Sequence, residues 1–468
     1  MNPGTTPGPG ELLRYMYRAA RRGLLADGST ALTSNLCVIG VGRSGAVTAA
    51  GLADMGHRVC AVDIDAGRVA ELNGGKAPFF EPGLDEMIAR NLVSRRISFT
   101  TELSEAVPNA DAVLLCVPTP AGGNGEADLS MLYAALRDIG PLLKSGALVI
   151  TRSTVPVGTN ALLAIQLHTE HPDVDVTVIS NPEFLREGHA VEDFMKPERV
   201  IIGAADAHGA AKAAKLYESL DRPIIVTDLE TAEITKYAAN AYLAASISFI
   251  NEIANICERT GADVTKVTEA LHLDRRIGEH AYIEPGIGFG GSCLPKDISA
   301  LVSTAKDHGY EPKLLQAIMD VNNSQPLRIV FYLEELFKNL SSLKVAVLGI
   351  SFKGDTFDVR SSPAMSVIRH LSDAGVRVHA FDPMTDRTVE MCVKAIAELH
   401  EDAYSAATGC DALVIASEHS EFRTLDMQRL GKVMASRVLI DGRNVLDPTA
   451  VAEAGFSYIG IGRARRGD

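Results

Sequence analysis

Leu36-Cys-Val-Ile-Gly-Val-Gly-Arg-Ser-Gly45 runs a short apolar stretch into glycines at 40, 42 and 45, and Ala46 to Met55 after it are mostly small or apolar. Such a run encodes a buried strand, a tight turn and a helix packed close behind it. A second apolar run, Arg58-Val-Cys-Ala-Val-Asp63, ends in an acid about 20 residues beyond the glycines, where a dinucleotide-binding unit keeps the carboxylate for the adenosine ribose hydroxyls. Asp63 selects NAD over NADP, because a 2′-phosphate would be repelled there. Gly40, Gly42, Arg43, Gly45 and Asp63 are therefore the first cofactor candidates.

The alternation of helices and strands continues through Ala110-Asp-Ala-Val-Leu-Leu-Cys-Val-Pro118 and Ala147-Leu-Val-Ile-Thr-Arg-Ser153. These strands lead into Thr119-Pro120 and Ser153-Thr-Val-Pro-Val-Gly158, and ligands of open α/β sheets bind outside such carboxyl ends. Thr154 is placed there either as a polar contact to a ligand or as a turn-capping hydroxyl. The pattern restarts at Leu343-Lys-Val-Ala-Val-Leu-Gly-Ile350 and Val376-Arg-Val-His-Ala-Phe-Asp382, followed by apolar runs at 411–416 and 437–443. The fold class is α/β, with two Rossmann-like doubly wound domains joined by a long central helix. The predicted boundaries are an N-terminal extension over 1–33, an NAD-binding domain over 34–220, a helical dimerisation domain over 221–330 and a second Rossmann-like domain over 331–468, without the glycine motif and so open to a different nucleotide.

Gly286-Ile-Gly-Phe-Gly-Gly-Ser-Cys-Leu-Pro-Lys-Asp297 sets three reactive side chains behind four glycines. Pro295 suits a first helical turn, so Cys293 is expected at a helix N-terminus, where free N–H groups and Lys296 favour a thiolate. Asp297, four residues on, shares a helical face with the thiol. Glu183 and Glu187 in Asn181-Pro-Glu-Phe-Leu-Arg-Glu-Gly188 have the same spacing. On a helical turn they would form a carboxylate pair suited to general base work, or a solvated acidic face. Thr231 to Arg259 reads as one long helix ended by Gly261, with Lys236 and Asn240 one turn apart on an otherwise apolar surface. A lysine there must find a partner or lose its charge, and so apolar a helix is expected to meet a second subunit.

A net charge of -14 argues against a nucleic-acid surface. No apolar run reaches the roughly 18 residues of a membrane span. The seven cysteines contain no CxxC pair, which argues against a zinc ribbon and a disulfide framework and for a reducing cytoplasm; no metal site is expected. Glu11 to Leu25, with four arginines, reads as a poorly ordered tail or a basic amphipathic helix.

Taken together the motifs resemble those of the UDP-glucose/GDP-mannose dehydrogenase family over about residues 36 to 446. Besides the stretches above, Val62-Asp-Ile-Asp65, Leu72-Asn73, Glu81-Pro-Gly-Leu84 and Phe352-Lys-Gly-Asp-Thr356 carry the likeness. The resemblance implies oxidation of a sugar C6 alcohol by two NAD+ per substrate through a Cys293 thiohemiacetal and thioester. It implies that Lys236, Asn240 and Asp297 serve the C6 oxygen and its water, that Glu183 is the hydrolytic base, and that Glu187 and Thr154 position the reactants. It assigns Arg68, Thr119, Lys296 and Arg360 to the cofactor, and Phe184, Leu185, Phe289, Gly290, Phe352, Lys353, Arg276 and Arg443 to the nucleotide-sugar, and it makes 331–468 the nucleotide-sugar domain. Arg276 would come from a neighbouring subunit, which makes a homodimer or higher even oligomer with a shared active site the expected state. The usual residues between the second and third glycines are replaced by Arg43 and Ser44. UDP-glucose is the leading substrate, with TDP-glucose and GDP-mannose as alternatives. A two-electron β-hydroxyacid dehydrogenase would have no need of Cys293, a sugar epimerase would show Tyr-x-x-x-Lys, which is missing, and an inactive nucleotide-sugar-binding regulator would not need the full catalytic set.

Overall fold

The computed structural model describes residues 33–123 and 125–463. The expected N-terminal tail or helix lies outside them. The chain parts into two compact units, the first reaching Ala238 and the second starting at Ala239.

The first unit is built on eight strands: β1 (Asn35–Ile39), β2 (Arg58–Val62), β3 (Ile97–Thr100), β4 (Ala112–Leu115), β5 (Leu148–Thr151), β6 (Thr177–Ser180), β7 (Val200–Ala204) and β8 (Ile224–Thr227). Their order is β3-β2-β1-β4-β5-β6-β7-β8, and every neighbouring pair is parallel except β6 with β7. The central strands are apolar on both faces because helices cover both, which is why they read as continuous runs rather than alternations. The helix Arg43–Asp54 is buried along nearly its whole length. Its small residues are what allow this: a Cβ at Gly51 would stand 2.2 Å from the Phe194 ring. Chain order reverses between β1 and β4, so the crevice at the carboxyl ends of these two strands is the switch point where nucleotides bind.

The second unit carries β9 (Lys344–Leu348), β10 (Arg377–Phe381), β11 (Glu398–Leu399), β12 (Ala412–Ile415), β13 (Val438–Asp441) and β14 (Ser457–Gly460). They form an all-parallel sheet in the order β11-β10-β9-β12-β13-β14. The same device opens both sheets. Asp63 after β2 accepts from the Val41 N–H at 2.8 Å, and Asp382 after β10 accepts from Ile350 and Ser351 N–H at 2.7 and 2.9 Å. Each acid fixes the turn after the neighbouring first strand.

The long helix spans Leu229–Thr260 and stops where Gly261 takes φ +77°, as the sequence suggests. One expectation fails. Asn181 to Arg186 have no regular structure, so Glu183 and Glu187 are not a helical pair. The Glu183 carboxylate accepts from the Leu185 N–H at 2.6 Å, a local side-chain turn that competes with the helix for the same donor.

Candidate active site

In the first unit the glycine turn is shaped by two of its three glycines and left open at the third. Gly40 has φ +86°, and a Cβ at Gly45 would lie 1.8 Å from the Gly40 carbonyl oxygen. At Gly42 a Cβ would meet nothing within 4 Å. Gly42 also gives the following helix no side-chain cap, and no acid stands in the first turn. Open space before uncapped N–H groups suits an anionic pyrophosphate, and the buried Asp63 stands where ribose hydroxyls are read. The residues fit a dinucleotide. Arg68 Nη1 holds Asp63 Oδ2 at 3.0 Å, so this arginine sits beside that acid. Arg43 pairs with Glu187 and lies 5.6 Å over the Phe79 ring, which ties the glycine turn to the loop after β6.

That loop carries Glu183 and is fixed from several sides. Asn181 Oδ1 accepts from Arg152 at 2.8 Å and from the Tyr217 hydroxyl at 2.6 Å, and Glu81 accepts from Gly188 and Ala190 N–H. Lys236 is buried, as its apolar helix requires, and the partner it was expected to need is there. Its Nζ is 3.8 Å from Glu183 Oε2 and 5.2 Å over the Phe184 ring. Arg199 covers the same ring at 3.8 Å; burial holds its pKa below the ordinary guanidinium value. The Leu185 side chain packs against the core of this unit. Thr119 Oγ1 donates to the Thr154 carbonyl at 2.8 Å, so the two strand-end turns are joined through the Thr154 main chain rather than its hydroxyl.

Sequence reasoning passed over Glu233, one turn before Lys236. Its buried carboxylate accepts from Gly158 N–H at 2.6 Å and from Asn160 N–H and Nδ2 at 2.8 and 2.7 Å. Burial outweighs these bonds and pushes its pKa up. The available signal was a second charged residue on the Lys236 face of an apolar helix.

In the second unit Cys293 is the N-cap of the helix Leu294–Asp307, whose first turn holds Pro295. The thiol is exposed and lies 3.5 Å from the Ser292 hydroxyl. The Asp358 hydrogen bond raises the Arg360 guanidinium pKa against the effect of burial, and attraction to Asp358 and Cys293 raises it further. Lys296 donates to Asp297 Oδ1 at 2.7 Å. Asp297 is 1 % exposed, and its other oxygen accepts from Asn240 Nδ2 at 2.6 Å.

The glycines before the thiol are close-approach positions. A Cβ at Gly290 would stand 2.2 Å from the Ser361 carbonyl oxygen, and Gly291, at φ +84°, lies against the Phe352 ring. Asn322 brackets Phe289, accepting from its N–H at 2.7 Å and donating to its carbonyl at 3.1 Å. Arg443 donates to the Gly288 and Ala416 carbonyls at 3.0 and 3.1 Å and lies 3.3 Å from Glu418. It braces the glycine loop to the end of β12. Lys353 Nζ is 5.7 Å over the Phe352 ring. Arg276 is well exposed and pairs with neighbouring Asp274 at 2.6 Å.

Comparison with known proteins bears on all of this. Models of the UDP-glucose/GDP-mannose dehydrogenase family match in three parts: the NAD binding domain over 34–221, the central domain over 230–324 and the UDP binding domain over 346–448. A UDP-glucose 6-dehydrogenase of Rhizobium meliloti (strain 1021) is 42% identical over 435 residues, covering 92% of this chain and 99% of that protein. The UDP-glucose 6-dehydrogenase TuaD of Bacillus subtilis (strain 168) is 39% identical, covering 92% of this chain and 93% of its own. A solved UDP-glucose dehydrogenase from Pyrobaculum islandicum superposes with TM-score 0.87 at 38% identity, covering 93% of this chain and 99% of that one. Among the described residues no helix is long and apolar enough to cross a membrane.

Proposed function

Because the chain belongs to the UDP-glucose/GDP-mannose dehydrogenase family, and so is an NAD-dependent oxidoreductase of nucleotide sugars, we propose that it converts UDP-glucose to UDP-glucuronate in a four-electron oxidation through Cys293. NAD+, when bound, supplies the hydride acceptor for each two-electron oxidation. The chain's own residues do the rest. Lys236 polarises the C6 oxygen as the alcohol loses a hydride and gives its hydroxyl proton to water. The Cys293 thiolate adds to the resulting aldehyde carbon, so that the aldehyde cannot escape. Loss of a second hydride from the thiohemiacetal alkoxide so formed leaves a thioester. Glu183 takes a proton from the attacking water, Cys293 leaves as thiolate, and the 6-carboxylate is released. Asn240 and Asp297 hold the water and the oxyanion's surroundings.

The observation that carries this reading is the exposed thiol at a helix N-terminus, one turn from a buried, doubly bonded carboxylate. A two-electron dehydrogenase would leave that arrangement without use. Thr154, Glu187, Arg68, Thr119, Lys296 and Arg360 are proposed to position the cofactor. Phe184, Leu185, Phe289, Gly290, Phe352, Lys353, Arg276 and Arg443 are proposed to hold the nucleotide-sugar, Arg443 from where it also contacts the glycine loop.

The same reading divides the chain into an NAD-binding part over 34–220, a central part over 221–330 and a nucleotide-sugar part over 331–468, in a cytoplasmic homodimer. Support for the dimer comes from the long helix, which exposes Tyr242, Phe249 and Ile256. Side chains seven apart lie on one helical face.

A substrate panel tests the proposal. UDP-glucose should give the 6-carboxylate by mass spectrometry with the highest kcat/KM. A higher value for TDP-glucose or GDP-mannose would replace the substrate, and no NADH from any of the three would overturn the activity.

A further inference from the structure

Strand β11 closes one edge of the second sheet, and its register gathers three metal-type donors that the proposed reaction does not use. His379 stands opposite Glu398 in the parallel β10–β11 pair. His400 follows Glu398 by two positions, and side chains two apart on an extended segment project to the same face. His379 Nδ1 and His400 Nε2 are 2.8 Å apart. Glu398 reaches to 3.7 Å from the first ring nitrogen and 3.9 Å from the second, and all three ligand atoms lie within 4.8 Å of one another. Both imidazoles are largely shielded, at 15% and 17% side-chain exposure, whereas Glu398 is 69% exposed and so has room to reorient.

Two ring nitrogens this close cannot both carry protons. Either one N–H donates to the other's lone pair, or both lone pairs face one cation. Burial lowers the His379 pKa, Glu398 opposes this, and His400, Lys344 and Arg377 lower it further. Two imidazoles and a carboxylate, with an open fourth position, are a familiar zinc donor set.

We propose that His379, Glu398 and His400 bind one divalent transition-metal ion of the zinc class, with water completing a tetrahedral shell. At metal–nitrogen distances of about 2.0–2.1 Å the nitrogens would part to roughly 3.4 Å, a small opening of the present pair. The donating ring adopts its other tautomer, so no net proton is lost. Lys344 and Arg377 disfavour ions held by charge alone, so magnesium and calcium are poor occupants, whereas imidazole ligation favours zinc, cobalt and nickel. A bound ion would pin the two-residue strand β11 to β10. The sequence conceals this site because its donors come from two strands and only the register brings them together.

The test titrates Co2+ into chelator-treated full-length protein, read by visible absorption and calorimetry, for wild type, His379→Ala, His400→Ala and Glu398→Gln. One Co2+ per chain is expected, with a tetrahedral d–d spectrum lacking thiolate charge transfer, displaceable by Zn2+ but not by millimolar Mg2+. Each variant should bind at least tenfold more weakly while keeping NADH-forming activity, which shows that it is folded. Zn2+ should also raise the wild-type Tm and leave that of the variants unmoved. The proposal is overturned if wild type binds no Co2+ at micromolar concentration, or if any one variant binds undiminished. It is equally overturned by a thiolate charge-transfer band, which would put the ion on exposed Cys293 or Cys392.

Discussion

Asn240 Nδ2 donates to Asp297 Oδ2 at 2.6 Å, which joins the long helix to the first turn of the helix that begins at the thiol. Lys296 takes the other oxygen at 2.7 Å, so the buried carboxylate is doubly bonded and fixed in direction. Asp297→Asn keeps the shape but must turn an amide N–H toward one of two donors. A fall in kcat of about 10²–10³-fold with a smaller change in KM is expected, the size seen when one preorganised oxyanion partner is removed. Steady-state kinetics with UDP-glucose measures it; unchanged kcat would take Asp297 out of the chemistry.

Glu183 makes a different demand. If it is the base for hydrolysis, Glu183→Gln should still form the thioester and then stall. The expected record is a burst of NADH followed by a steady rate at least about 10²-fold below wild type, with a covalent adduct on Cys293 in intact-protein mass spectra. Slow NADH formation with neither burst nor adduct would move Glu183 out of that step.

Glu233 is expected to act on stability and turn geometry. Its removal in Glu233→Ala strands the Gly158 N–H and two donors of Asn160, and buried donors left without acceptors cost about 1–3 kcal/mol each before relaxation. Chemical denaturation should show a loss of roughly 2–4 kcal/mol. A loss below about 0.5 kcal/mol would mean that water replaces the carboxylate, with the buried donors resatisfied.

Asp382 supplies an acid-sensitive contribution. Burial alone would raise its pKa, but His419 and the Ser351 and Ile350 N–H groups outweigh burial and hold it at about 2. Since the folded value lies below the unfolded one, its stabilisation is complete above about pH 4 and lost as pH falls toward 2. That contribution is on the order of 2 kcal/mol. Asp382→Asn should lower stability by that order at pH 7 and flatten the dependence between pH 4 and 2, as read from urea midpoints. A variant with the wild-type pH slope would place the acid sensitivity elsewhere.

What the sequence made legible was what local spacing controls. The glycines before residue 46 and Asp63 announced a strand, turn and strand whose geometry follows from backbone sterics, and Gly261 marked the end of the long helix. Cys293 at its helix N-terminus followed from Pro295. The Glu183–Glu187 pair was misread because equal spacing was taken for helix, although Glu183 satisfies a backbone N–H itself and Gly188 takes φ +81°. The Arg443 contacts to the Gly288 and Ala416 carbonyls could not be read from the sequence, since the first joins segments 155 residues apart. Glu233 and the β10–β11 histidines were missed for the same reason: their partners come from strands and turns distant in sequence.

The most direct test of the thioester route is the number of NADH formed per UDP-glucose consumed, measured to completion for wild type and Cys293→Ala. Two NADH per sugar in wild type, with full turnover abolished in the variant, is the expected result. One NADH per sugar, or two in a variant without the thiol, would contradict covalent catalysis by Cys293.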